Sequence, residues 1–153
     1  MSAPNAMSCV FCDIVAGKSP ASIIYQDESV MAFMTIRPTA PGECLIIPKA
    51  HVDHFTDVDD VTAQRIIVIA QRIGRRLRTT FRPLRVGMVV HGFGVPHAHL
   101  LLVPQRGIHH ITSDRYVSVR DGELIFSQDN VERPDRATLD AHARILADLN
   151  GNA

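Results

Sequence analysis

Two histidines stand on alternate positions of the apolar run Val95-Pro96-His97-Ala98-His99-Leu100-Leu101-Leu102-Val103-Pro104. In a β-strand, side chains at i and i+2 leave the sheet on one face, about 6.5–7 Å apart. A strand over His97–Val103 therefore places His97, His99, Leu101 and Val103 together and turns Ala98, Leu100 and Leu102 the other way. Imidazole is costly to bury without a partner, so two of them on one face of a core strand point to chemistry there. Two further thiols sit at Cys-x-x-Cys spacing, Cys9 and Cys12, close to the N-terminus. Three cysteines in all do not make the disulfide framework of a small secreted domain.

These groups need a scaffold, and 153 residues are enough for one domain with a substantial core. Hydrophobic residues make up 46% and charged residues 21%, an ordinary globular balance. Sixteen basic residues offset sixteen acidic ones, so no bulk field attracts nucleic acid or an anionic membrane. A phosphate ligand must then be held by local groups. No apolar stretch is long enough to span a bilayer, and Met1–Ala6 lacks a secretory signal, so a cytoplasmic protein is expected.

Residues 1–8 read as a loose tail, and Phe11–Lys18 as a short helix stopped by Gly17 and Pro20. Ser22–Gln26, Val30–Thr35 and Cys44–Ile47 have strand composition, the first two joined at Asp27-Glu28. The prolines and glycine of Pro38–Gly42 deny that segment both helix and ladder. The clearest helix runs from about Asp59 to Thr79, with Val61, Ile66, Ile69, Ala70, Ile73 and Leu77 as its apolar stripe. Aspartates at its start and Arg75, Arg76 and Arg78 at its end suit the helix dipole, and the arginines read as a solvated terminus in preference to a phosphate clamp. Strands follow at Arg85–Val90 and His97–Val103, then a hairpin over Tyr116–Val119 and Glu123–Phe126 and a helix built on Leu139, His142, Ala143, Ile145, Leu146 and Leu149. The order β-β-β-α-β-β with a C-terminal extension predicts an α+β domain with a largely antiparallel sheet.

The ordered pieces Cys9-x-x-Cys12, Pro41-Gly42-x-x-Leu45-Ile46-Ile47-Pro48-Lys49-x-His51 and the His-x-His segment between two Val-Pro pairs resemble the histidine triad (HIT) family. The resemblance spans roughly residues 9–106 and implies a HIT-like fold with a five-stranded antiparallel sheet and one long helix. Residues 107–153 are then a hairpin-and-helix extension packed on the same domain. It also implies a nucleotide hydrolase or nucleotidyltransferase acting on an α-phosphate. The middle motif histidine of the family, His99 here, is the nucleophile, fixed by a hydrogen bond from its other ring nitrogen to the main-chain carbonyl of His97. Cys9 and Cys12 fit a redox pair, two small buried hydrophobes, or half of a zinc site. Family members with this Cys pair complete a structural zinc site with the equivalents of His51 and His97. Phe33, Thr35, Ile36, Glu43, His91, Gly92, Gly94 and Leu101 fall at positions expected to meet the nucleotide. A homodimer joined sheet edge to sheet edge, with the long helix at the interface, is implied as well.

The chain departs from that pattern at four places. Leu101 replaces the third motif histidine, Glu43 the histidine after Pro-Gly, and Thr35 the aspartate that holds ribose. The loop His91–Gly94 is short and lacks the usual phosphate-cradling side chains, although His91 could replace a missing donor. Singly, Leu101 and Thr35 read as ordinary strand composition and Glu43 as a solvated loop residue; together they imply altered substrates or decayed catalysis. An amine leaving group needs a proton that Leu101 cannot relay, so the expected substrates are nucleotide anhydrides such as dinucleoside polyphosphates. The alternative is a nucleotide- or partner-binding module that keeps fold and zinc but has weakened catalysis. His109-His110 are expected at the surface where the extension starts, although the family resemblance implies that this region can close the site, and His54 and His142 are expected as surface or packing residues.

Overall fold

The computed structural model describes residues 9–108, 110–111 and 117–149. The expected tail over residues 1–8 lies outside that range, as do His109 and Tyr116. The first element among the described residues is helix α1, Val10–Val15, which ends earlier than its composition suggests. Gly17 takes a positive φ of 72° and its N–H bonds back to the Ile14 carbonyl at 3.0 Å, closing the helix there.

Strands β1 (Ile23–Gln26) and β2 (Val30–Met34) form a hairpin, followed by β3 (Cys44–Pro48). Asp27 holds the first turn, accepting from the N–H groups of Ser29 and Val30 at 2.9 Å each. Helix α2 (Asp60–Phe81) starts on Asp59, whose carboxylate accepts from Thr62 N–H at 2.9 Å. Strands β4 (Arg85–Val89) and β5 (Leu100–Gln105) complete a sheet of order β1-β2-β3-β5-β4, antiparallel at every pairing. This is the α+β arrangement predicted from the pattern of elements. Every residue of β2 and β3 is buried, because the sheet is covered on both faces.

One face packs Ile46, Leu100 and Leu102 against the α2 stripe of Ile66, Ile69, Ala70, Ile73 and Leu77. Val61 does not join that stripe; at 77% exposed it lies on the first turn, outside the contact. The opposite face packs Phe33, Leu45 and Ile47 under Phe11 and Ile14 of α1. The Pro38–Gly42 loop closes on α2, where a Cβ on Gly42 would stand 2.7 Å from Leu77 Cδ2.

Past β5, strands β6 (Val117–Arg120) and β7 (Glu123–Phe126) form a separate two-stranded sheet. Its turn, Asp121-Gly122, has positive φ at both residues, as a twisted two-residue hairpin requires. Helix α3 (Arg136–Leu146) adds Leu139, Ala143 and Leu146 to the α2-side core. Arg76 departs from the expected solvated cluster: its Nη2 donates to the Ile145 carbonyl at 3.1 Å, tying α2 to α3. No helix among the described residues is long and apolar enough to cross a membrane.

The His97–Val103 segment differs from a continuous strand. The ladder of β5 begins only at Leu100, opposite Ile46. Ahead of it, His97 N–H bonds to the Val95 carbonyl at 2.8 Å and Ala98 N–H to the Val52 carbonyl at 2.6 Å. One short-range bond and one long-range bond thus replace sheet pairing and hold the two histidines in a turn at the mouth of the strand. The alternation beyond them holds: Leu100 and Leu102 face α2, while Leu101 packs on the α1 side.

Candidate functional site

Cys9 is the N-cap of α1 and Cys12 lies one turn on, so both thiols leave the same side of the helix. His51 follows β3 by three residues, and His97 is fully buried in the turn before β5. One ligand atom from each of these four residues lies within 4.8 Å of every other. Cys9 Sγ is 3.4 Å from His97 Nδ1, Cys12 Sγ is 3.2 Å from His51 Nδ1, and Cys12 Sγ is 3.6 Å from His97 Nδ1. The edges of a tetrahedron with metal–sulfur and metal–nitrogen bonds of ordinary length are about 3.3–3.8 Å; the two His97 separations fall in that range and the Cys12–His51 one lies just below it, so the groups are gathered on the scale of a four-coordinate ion. His97 Nε2 donates to the Pro48 carbonyl at 2.8 Å, which leaves the Nδ1 lone pair aimed at the thiols. Burial pushes the His97 imidazole below its ordinary value, favouring the neutral form that coordinates. Burial also pushes the Cys12 thiol up, aided by Cys9 beside it, so a bound metal would displace its proton. Two thiols and two imidazoles make a donor set suited to a borderline-soft transition metal.

His99 leaves the same turn beyond the cluster. Its Nδ1 donates to the main-chain carbonyl of His97 at 2.7 Å, which sets the tautomer and leaves Nε2 with a lone pair. Phe11 stacks edge-on against both imidazoles, 5.8 Å from His97 and 5.5 Å from His99 between ring centroids. The residues that hold the metal-type cluster therefore also orient His99.

A cleft of about 470 Å³ opens beside His99. Of the residues expected to meet a nucleotide, Glu43, His91 and Leu101 line it. Gly92 and His91 line a smaller recess of about 160 Å³ that also borders His99, bounded as well by His97 and Asp53. Phe33, Thr35, Ile36 and Gly94 line neither. Phe33 is buried against the Phe11 ring at 5.4 Å, and Ile36 is exposed. Thr35 donates its N–H to the Glu43 carbonyl at 3.3 Å, and Gly94 turns the chain ahead of His97 with φ 95°. A larger cleft of about 800 Å³, between the Pro38–Pro41 loop and residues 130–135, is lined by His142 but by none of Cys9, Cys12, His51, His97, His99 or His91.

Glu43 is no solvated loop residue. It is 2% exposed, and its Oε2 accepts from both the N–H of Thr39, at 2.8 Å, and the Thr39 hydroxyl. Burial pushes its carboxyl above the ordinary value despite those two bonds. His110 departs from its surface expectation too: it is 6% exposed and lines the same cleft. Nothing local in the sequence marks Thr39 or His110, because both reach the cleft only through the folding back of loops.

The HIT domain family model matches residues 16–109. The chain belongs to the HIT family. Among relatives of this HIT protein, Protein hit of Bacillus subtilis is 32% identical over 107 residues, 67% of this chain and 74% of that one. Adenosine 5'-monophosphoramidase HNT1 of Saccharomyces cerevisiae is 32% identical over 109 residues, 69% of each chain. A Zn-bound histidine triad family protein from Mycobacterium smegmatis matches in structure with TM-score 0.68 and 29% identity, over 95% of this chain and 94% of the other.

Proposed function

We propose that this HIT protein is a nucleotide hydrolase or nucleotidyltransferase that cleaves nucleotide anhydrides through a nucleotidyl-His99 intermediate. The observation that carries it is the His99 Nδ1–His97 carbonyl bond beside an open cleft, because it presents Nε2 as a lone-pair nucleophile. Nε2 attacks the α-phosphorus, a P–N bond forms, and the P–O bond to the leaving phosphate breaks with its electrons remaining on that oxygen. Water then attacks the same phosphorus, the P–N bond breaks, and a nucleoside monophosphate leaves with the imidazole regenerated. Leu101 packs among Phe11, Phe33 and Leu45 and offers no proton, so a phosphate leaving group that departs as an anion suits this site better than an amine.

Zinc bound by Cys9, Cys12, His51 and His97 is the metal this reading assigns, supported by the donor set and by the Zn-bound relative. It would supply a rigid cross-link rather than reaction chemistry, holding the His97 carbonyl where His99 needs it. Glu43, His91 and Leu101, which line the cleft, and Gly92 in the adjoining recess would border the nucleotide, whereas Phe33, Thr35, Ile36 and Gly94 line neither and are left without a ligand contact. The protein would act in the cytoplasm as a homodimer. The pairing surface proposed is the open edge of β4 with Met88, Ile67 and Val68 exposed beside it.

The second reading, a nucleotide- or partner-binding module with weakened catalysis, draws on Leu101 and on Glu43, whose partner is Thr39 rather than His99. Intact-mass analysis after mixing with a dinucleoside polyphosphate separates the two. An adduct of nucleotide mass, or released monophosphate, that disappears in His99→Ala supports the enzyme. Tight binding with neither adduct nor product supports the module.

A further inference from the structure

The cleft of about 470 Å³ and the recess of about 160 Å³ both border His99, and they share one other lining residue, His91. The β4–β5 register accounts for the meeting. Gly87 lies opposite Val103 and Val89 opposite Leu101, so the same step carried two residues past that last pair sets His91 level with His99. Residues opposite each other on antiparallel strands have Cβ atoms about 4.5–5.5 Å apart, near enough for two side chains to hold one small group between them. Gly92 then turns the chain away at φ 80°, and Gly94 turns it again at φ 95° on the way back to His97.

A nucleotide α-phosphate is anionic, and attack on it gathers further charge on the oxygens that stay bound to phosphorus. No lysine or arginine is among the described residues lining either cavity. That leaves the imidazoles, and most of them are committed elsewhere. His97 gives Nε2 to the Pro48 carbonyl and turns Nδ1 to the thiols. His54 holds Nε2 toward Asp53 Oδ2, 3.9 Å away. His110 accepts from Arg106 N–H on Nδ1 at 3.3 Å, and its Nε2 is out of solvent reach. His91 is different. It is exposed, its ring meets Phe93 edge-on with centroids 5.5 Å apart, and neither ring nitrogen has a hydrogen-bond partner among the described residues.

We propose that His91 is a catalytic residue whose ring N–H donates to a non-bridging oxygen of the α-phosphate while His99 Nε2 attacks the phosphorus. The assignment rests on the nucleotide reading above. The P–N bond forms and the P–O bond to the leaving phosphate breaks as before, and the His91 proton stays on its ring. Its hydrogen bond strengthens as charge builds on the oxygen, so it lowers the barrier more than it tightens binding. Because no proton moves, the preference for a leaving group that departs as an anion stands.

Steady-state kinetics of the full chain with diadenosine tetraphosphate, and with its two α-phosphorothioate isomers, test this. In His91→Ala kcat should fall about a hundredfold with KM changed less than about threefold, as loss of one preorganised donor predicts. His91→Asn, whose amide also donates, should recover part of the loss. Sulfur is a weak acceptor, so the wild type should cleave the isomer that turns sulfur toward His91 about tenfold more slowly than the other. In His91→Ala the two isomers should come within about twofold of each other, a change that a merely displaced loop does not produce. A kcat within about threefold of wild type, or an isomer ratio that is the same with and without His91, overturns the assignment while leaving the His99 intermediate intact. If the wild-type protein forms neither nucleotidyl-His99 nor monophosphate, the nucleotide reading itself fails and His91 falls with it.

Discussion

Removing the metal should loosen the protein by an amount set by the chain lengths that the four-residue cluster closes. Cys9 and His97 are 88 positions apart, and Cys12 and His51 are 39 apart. A cross-link closing the longer loop removes denatured-state entropy worth about 4 kcal/mol. Binding linkage gives a similar figure, about 4 kcal/mol for free metal at roughly a thousand times its dissociation constant. For a domain of this size that corresponds to a melting temperature lower by about 8–16 °C after chelation. The assay is calorimetric melting of zinc-loaded and chelator-stripped protein, with metal content measured on both. Cys9 is buried, so Cys9→Ser lowers the melting temperature for packing reasons as well. The informative quantity is therefore the chelator effect within each variant, which should vanish in Cys9→Ser. A wild-type protein that takes up no stoichiometric metal, or melts within about 2 °C with and without chelator, would falsify the cross-link.

Three further outcomes are expected. Leu101→His, opposite Leu45 and Val89 in the ladder, should raise turnover of nucleoside phosphoramidates relative to anhydrides by about tenfold or more, since it restores a proton donor; steady-state kinetics with an unchanged ratio would count against that. Glu43 has a folded-state pKa raised by burial, so the folded protein holds its proton more tightly than the unfolded chain. Its contribution is present below the ordinary carboxylate range and is lost as pH rises through the raised value, and urea unfolding of Glu43→Gln should lack that decline. Gly42→Ala forces a methyl toward Leu77 and Phe81 at a positive φ, and should cost about 1–3 kcal/mol in urea unfolding, with no cost if the loop is not seated on α2.

The elements that local chemistry governs were legible. The α2 stripe, the aspartates at its start and the succession of strands and helices along the chain follow from periodicity and side-chain type, and most ends moved by only a few residues, while the sheet order β1-β2-β3-β5-β4 came only from the fold. Where a boundary moved further, a specific contact moved it. His97–His99 left the strand because Ala98 found the Val52 carbonyl before it found a sheet partner. Val61 kept the helical spacing but sits on a turn with nothing above it.

By itself the sequence determined which chemistry was available: thiols one helical turn apart, imidazoles on alternate residues, and leucine where a third imidazole would complete a triad. Residue identity and near-neighbour spacing are enough for that, because side-chain reactivity and helix or strand period are local properties. Tertiary structure alone decided who meets whom. It brought Cys9 to His97 across 88 positions, gave Glu43 to Thr39 rather than to His99, and turned His110 from an expected surface into the cleft. Those outcomes depend on how loops close over a packed sheet, and loop closure is set by contacts far apart in the chain.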